Sequence, residues 1–333
     1  LVINKVILAG FEFCGIIFNI VFFMASKNIY QLENQGRLWV NVTHQGEKEL
    51  REIQRRFGFD ELDVKESLPP FQRPKIVKRD NYYFMVLHFP VFDRETFRLG
   101  FTEVDFFLSQ NFLVTVHDNK LPAIEAMFDE CKKNSLSLNK YFTGTAAHIL
   151  FELLSRLFDA TFPILLHVND DINLVDRKLF TKVSGRQITE EILRLKTNIV
   201  TFRRTMQGHR TVLERLLSYA GRELDIASCQ NYINSLREFT NEIWHILESQ
   251  KESINALHET NESLLTLRTN NVMRVLTIIS VTTFPLTLLA TILAIPTLNN
   301  PITHMLGGFW LILLIMLFGA AGMFAIFKKK DWV

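Results

Sequence analysis

The chain has 333 residues, with 37 Lys and Arg against 35 Asp and Glu and a formal net charge of +2. So balanced a charge argues against nucleic acid as a partner. Cys14, Cys131 and Cys229 are scattered, with no CxxC pair, which argues against a disulfide framework or a zinc knuckle and for a reducing compartment around the soluble part. No P-loop, HExxH, GxSxG or GxGxxG occurs, so no enzymatic signature is present. The adjacent Asp170 and Asp171 lie in a helical stretch, where neighbouring side chains point to different faces.

In chain order, residues 1–35 resist assignment. Residues 6–24 are apolar but interrupted by Glu12 and Asn19, and fall short of an ordinary spanning segment. A signal peptide fits poorly, because Phe23 stands where a small residue belongs before Ala25; Met24 reads as a natural start. Residues 36–144 read as an α/β domain. RLWVNV (37–42), YYFMVLHFPVF (82–92), EVDFFLS (103–109) and FLVTVHD (112–118) are strand-like, the last by its alternation. KELREIQRRFG (48–58) reads as a short helix closing at Gly58, and Pro69, Pro70 and Pro74 punctuate the link to the next strand.

Residues 145–273 read as a helical stalk region, with apolar residues at spacings of three and four. Pro163 is expected to kink one helix, residues 187–220 form another, and Gly221 is the turn after it. From 231 the helical pattern runs without a stop signal toward the hydrophobic tail. About 60 residues of helix reach roughly 90 Å, more than a globular domain needs. Sequons occur at Asn41 and Asn261, without meaning for a cytosolic domain.

Residues 274–333 read as a transmembrane hairpin with a basic tail. VLTIISVTTFPLTLLATILAI (275–295) and GGFWLILLIMLFGAAGMFAIF (307–327) carry no charge, and each matches a hydrocarbon core of about 30 Å. The linker PTLNNPITHML has no Lys or Arg, whereas Arg268 and Arg274 precede the first span and Lys328, Lys329 and Lys330 follow the second. That asymmetry puts both outer ends in the cytoplasm and the linker outside: a multi-pass protein of the inner or plasma membrane, with its N-terminal domain and C-terminus cytoplasmic.

Within the first span Thr277, Ser280, Phe284, Thr287 and Thr291 recur at three or four and share one helix face, which continues through Met273 and Asn270. Hydroxyls and a carboxamide in one stripe suit a water-filled path for a hydrated cation. They equally suit helix packing, since Ser and Thr satisfy themselves on backbone carbonyls and small polar residues mediate membrane helix contacts. Two spans per chain enclose no pore, so a pore requires a ring of identical chains.

NNVMRVLTIISVTTFPLTLLA (270–290) and FKKKDWV (327–333), with WVNV (39–42), FQRPKI (71–76) and NYYFMVLHF (81–89) upstream, resemble the CorA family of divalent-cation transporters over residues 36–333. The resemblance implies a homopentamer with a funnel-shaped cytosolic domain, whose pore is lined by Asn270, Met273, Thr277, Ser280, Phe284, Thr287 and Thr291. Met273, Leu276 and Phe284 become candidates for a hydrophobic constriction, and Lys328 to Lys330 for a basic collar. The family's Gly-Met-Asn signature is absent. Aligned without gaps, Ala294, Ile295 and Pro296 occupy the outer mouth; a shifted register gives Thr297, Leu298 and Asn299, keeping the asparagine alone. For the family's acidic cation-sensing site, Glu66 falls where one carboxylate is expected and Ser235 where its partner would be; Glu259 matches an acidic position facing the axis.

The leading expectation is passive conduction of a divalent cation, Mg²⁺ first, with no resident cofactor. The partners are the bilayer, metal ions and copies of the chain. Two charges moving inward through 100 mV gain about 4.6 kcal/mol, so no ATP is needed. The alternatives are the same fold carrying Zn²⁺ or other divalent metals, and a non-conducting membrane-anchored structural or regulatory oligomer.

Overall fold

The computed structural model describes residues 28–181, 185–220, 224, 229–295 and 307–330. The uncertain segment 1–27, Gly221, Pro296, Asn299 and the tail 331–333 lie outside them. The chain divides into two compact units between Leu257 and His258.

The first unit is built on six strands, β1 (Ile29–Asn34), β2 (Arg37–Val42), β3 (Lys75–Lys78), β4 (Tyr83–Asp93), β5 (Arg98–Leu108) and β6 (Phe112–His117), in the order β1-β2-β6-β5-β4-β3. Among the described residues, β2 and β6 pair in parallel and the other neighbours are antiparallel. β1 lies upstream of residue 36 and joins β2 through a tight turn in which Gln35 and Gly36 both have positive φ, the geometry a two-residue hairpin loop requires. Strand alternation sorts the core onto two faces. Tyr83, Met85, Leu87 and Phe89 of β4 point one way. Phe84 and Val86 point the other, with Phe107, Val114 and Val116. So little of β4 is exposed because both faces are covered.

The second face is covered by α1 (Glu47–Phe57), through Leu50 and Ile53, and α2 (Glu61–Glu66), through Val64. α1 closes at Gly58, whose φ of 70° is left-handed, as the sequence led us to expect. The first face carries α3 (Pro122–Lys133), α4 (Ser135–Tyr141), α5 (Ala146–Asp159), α6 (Phe162–Leu179) and α7 (Gly185–Ala220), whose apolar residues join one core with the sheet. Pro163 does not kink a helix. It stands in the first turn of α6, where the missing N–H would be unbonded in any case. Asp171 of the DD pair reaches Arg194 of α7 at 3.4 Å. The Asn41 sequon is buried: its Oδ1 accepts from the Thr115 hydroxyl at 2.8 Å and faces His117 Nε2 at 2.9 Å. Burial pushes His117 down to about 4, so the neutral ring donates through Nε2, while its Nδ1 accepts the Asn119 N–H at 3.1 Å.

Two further helices follow, α8 (Gln230–Ala294) and α9 (Gly308–Lys329). α8 is unbroken for 65 residues across the division of the units and continues through Pro285. The sequence pattern anticipated this continuity from residue 231.

The close approach of α7 to the segment before β3 gives a stability test. A Cβ on Gly208 would lie 2.4 Å from the Pro74 Cβ. Gly208→Ala is expected to cost about 1–3 kcal/mol through overpacking, read as a lower thermal midpoint of the purified protein. An unchanged midpoint would show that the contact is loose.

Candidate functional site

The sequence-predicted stripe lies on α8 in the second unit, alongside α9. Mean hydropathy reaches 2.0 in α8 and 2.5 in α9, and both helices are long enough to cross a membrane.

Burial divides α8 into two sides. Ile278, Thr282, Leu286, Ala290 and Leu293 are half-buried and recur at four or three residues. α9 presents a matching row in Ile312, Met316, Gly319, Ala320 and Met323, half-buried, with Phe327 buried. The rows meet where a Cβ on Gly319 would stand 3.3 Å from Leu286 Cδ2; a glycine there lets the helices approach closely. Asn270, Met273, Leu276, Thr277, Phe284, Thr287 and Thr291 are exposed, Phe284 at 72%. Ser280 is half-buried. At about 100° of rotation per residue, the centre of this stripe lies about 160° around the helix from the row that meets α9. The stripe is therefore the side of α8 that α9 leaves open.

The hydroxyls are satisfied within the helix. Thr277 donates to the Met273 carbonyl at 2.8 Å, Thr287 to Thr283 at 2.8 Å and Thr291 to Leu288 at 2.9 Å. Thr282 and Thr283, off the stripe, do the same at 2.7 Å. Back-bonding thus does not separate pore lining from packing. A hydroxyl whose proton is already given to a carbonyl offers only lone pairs outward, and lone pairs are what the water hydrogens around a hydrated cation need. Pro285 was missed as a helix-interior residue. Lacking an N–H, it leaves the Val281 carbonyl without its usual ladder donor.

The other sequence-predicted residues are dispersed. Ala294 ends α8, and Ile295 follows it, exposed, with its N–H on the Ile292 carbonyl at 3.3 Å. Pro296 and Asn299 lie outside the described residues. Lys328 and Lys329 close α9 and Lys330 caps it, all exposed; cations there complement the helix dipole. Glu66, at the end of α2, pairs with Lys75 of β3. The Ser235 hydroxyl donates to the Asn231 carbonyl at 3.1 Å, and Glu259 is exposed on α8. Among the described residues, no three His, Cys, Asp or Glu side chains group closely enough to hold a metal ion.

Residues 34–329 match the family described as CorA-like Mg²⁺ transporter protein. The chain belongs to the CorA family. It is 25% identical over 297 residues to the cobalt/magnesium transport protein CorA of Thermotoga maritima, covering 89% of this chain and 83% of that one. It is 20% identical over 307 residues to the protein of the same description from Methanocaldococcus jannaschii, covering 90% and 93%. The complete structure of the M. jannaschii CorA magnesium transporter superposes with a TM-score of 0.77 at 18% identity, over 91% of this chain and 96% of that one. The full-length CmaX protein gives 0.67 at 19% identity, over 89% of each. The CorA-like fold, with its two long apolar C-terminal helices, is thereby established. CorA-family proteins are transporters and channels, not enzymes.

The hairpin contact yields a paired test. Gly319→Leu forces the α9 row away from Leu286, whereas Gly322→Ala adds a methyl that meets nothing within 4 Å. The first variant is expected to lower the thermal midpoint in detergent and the second to leave it unchanged. Equal midpoints for both would remove Gly319 from the interface.

Proposed function

We propose that the chain is a divalent-cation channel, conducting Mg²⁺ inward and passively through the centre of a homopentamer lined by the α8 stripe. The observation that carries this reading is the placement of Asn270, Thr277, Thr287 and Thr291 on the side of α8 opposite Leu286 and its contact with α9. A row of hydroxyl lone pairs without a covering helix is open to water or to partner chains. Membership of the CorA family supports the substrate class, and the names of the T. maritima and M. jannaschii relatives support magnesium. Met273, Leu276 and Phe284, all exposed on that side, are assigned to a hydrophobic constriction. Lys328 to Lys330 form a cytoplasmic basic collar, and the linker between the spans faces outward.

The outer mouth is where this chain is expected to differ from signature-bearing relatives. Mg²⁺ surrenders its waters reluctantly, so it is recognised through them by oxygen acceptors at a set radius. Ala294 and Ile295 carry no side-chain acceptor, and Pro296 adds only its carbonyl. This favours a second reading within the same fold, a broader divalent selectivity that includes Zn²⁺. Asn299 and Asn300 are the carboxamides of the signature type nearest this mouth, Asn299 being the one the shifted register keeps.

Reconstitution tests the proposal. Proteoliposomes holding an inside-negative potential should take up Mg²⁺ without ATP, with competition from Co²⁺, Ni²⁺ and Zn²⁺ ranking the ions. Asn299→Ala is expected to lower Mg²⁺ preference about tenfold, a 1.4 kcal/mol change, with assembly intact. Indifference to that substitution would move the filter to Thr287 and Thr291, and absence of flux for every cation would leave a non-conducting oligomer. A cysteine at 299 should react with an impermeant reagent outside intact cells; labelling only after lysis would reverse the topology.

A further inference from the structure

The α/β unit buries a carboxyl group that no part of the proposed function uses. Asp105 of β5 has no exposure, and neither of its oxygens has a hydrogen-bond partner. Its neighbours across the sheet are Val86 of β4 and Val116 of β6, which offer nothing polar. The Ser67 hydroxyl, at the end of α2, donates to the Asp63 carbonyl at 3.1 Å. Two positions back on the same strand and face, about 7 Å away, lies Glu103, only 1% exposed. Glu103 faces His88 of β4 at 3.4 Å. The remaining charges turned toward Asp105 are Glu66 of α2 and Lys75 of β3, and these two pair with each other.

Glu103 is also the anchor of a surface strap. Residues Leu68–Pro74 connect α2 to β3 without regular structure. The Gln72 N–H is pinned on Glu103 Oε2 at 2.5 Å, the Phe71 ring leans on Phe101 at 5.6 Å, and Pro74 rests against Gly208. The strap is thus held by one of two neighbouring buried acids; the other, Asp105, has the Ser67 hydroxyl as its nearby donor, and that hydroxyl is turned to the Asp63 carbonyl.

We propose that the proton on Asp105 latches this strap: while Asp105 is neutral the strap stays pinned on Glu103, and when the proton leaves to bulk water the strap lifts and hydrates both carboxylates. Glu103 has the Gln72 N–H as its donor; Asp105, ionised beside it with no hydrogen bond of its own, cannot remain dry. The other surroundings, the core around Val86, Val116, Phe84 and Phe107, are apolar and closed. Burial, with the Glu103 charge beside it, holds the Asp105 carboxyl well above the usual carboxylate range. A proton held more tightly in the closed form than in the open one favours closure at low pH. That advantage is lost as pH rises toward the value Asp105 has in the closed form.

Hydrogen exchange of the full chain in detergent, followed by mass spectrometry on peptides covering residues 68–74, tests the latch between pH 6 and 9. Exchange times are scaled for the intrinsic chemistry. In the wild type the protection of the Gln72 amide should fall by up to about tenfold per pH unit once Asp105 begins to ionise, the slope of a single linked proton. Asp105→Asn, of the same shape but without a proton to lose, should hold protection constant. Glu103→Gln, which keeps an acceptor for Gln72 and removes the neighbouring charge, should weaken the response, and it decides the matter if the Asn variant fails to fold. A flat wild-type profile, or a slope unchanged by these substitutions, would overturn the latch.

Discussion

When two apolar helices pack along a single line, each leaves its opposite side to be covered by lipid, water or another chain. In this protein the line is set by Leu286 against Gly319. It decides which side of α8 is shared with α9 and which is not. The uncovered side holds several hydroxyls within the span and a carboxamide, Asn270, just before it. The geometry of one helix pair therefore separates the polar stripe from the packing surface. In the proposed ring of copies, each turns its stripe inward and together they enclose a wet path.

The chemistry of the proposed path is one of acceptors. Each stripe threonine spends its proton on its own backbone and turns oxygen lone pairs outward. Such a surface suits a cation that keeps its first water shell, because those water hydrogens need acceptors and no ligand exchange is required. It supplies little discrimination between ions of similar hydrated size. Selectivity in the proposed channel thus falls to the mouth, where Ala294 and Ile295 are poorer in acceptors than the family signature.

Much of this was legible in the sequence, for reasons that differ from element to element. The spans and the stripe were visible because bilayer thickness and helical periodicity act on composition directly. The 65-residue α8 was visible because nothing in 231–294 stops a helix except Pro285, which the surrounding helix overrides. Pro163 misled because proline is tolerated in a first turn and forbidden only further in; Thr161 at the N-cap with a proline just inside was the start signal that went unread. β1 was hidden in a stretch read as uncertain, because its partner β2 supplies the pairing that its own sequence does not announce. The latch acids Glu103 and Asp105 were read only as part of a strand. Alternation assigns a face, but it does not tell a buried acid from a solvated one. Nor did the stripe alone tell pore from packing. The row Ile278, Thr282, Leu286, Ala290 and Leu293, with Gly319 and Ala320 opposite, marks the side that meets α9, and its three-and-four spacing was readable had both faces of the helix been counted.

The central claim is that the stripe faces an aqueous cation path and the α9 row does not. Cysteine scanning of α8 in proteoliposomes, with a small water-soluble thiol reagent added during cation flux, tests it most directly. The account predicts inhibition at 273, 277, 280, 284, 287 and 291 and none at 278, 282, 286, 290 and 293. Inhibition spread evenly over both sets, or confined to the second, would contradict it.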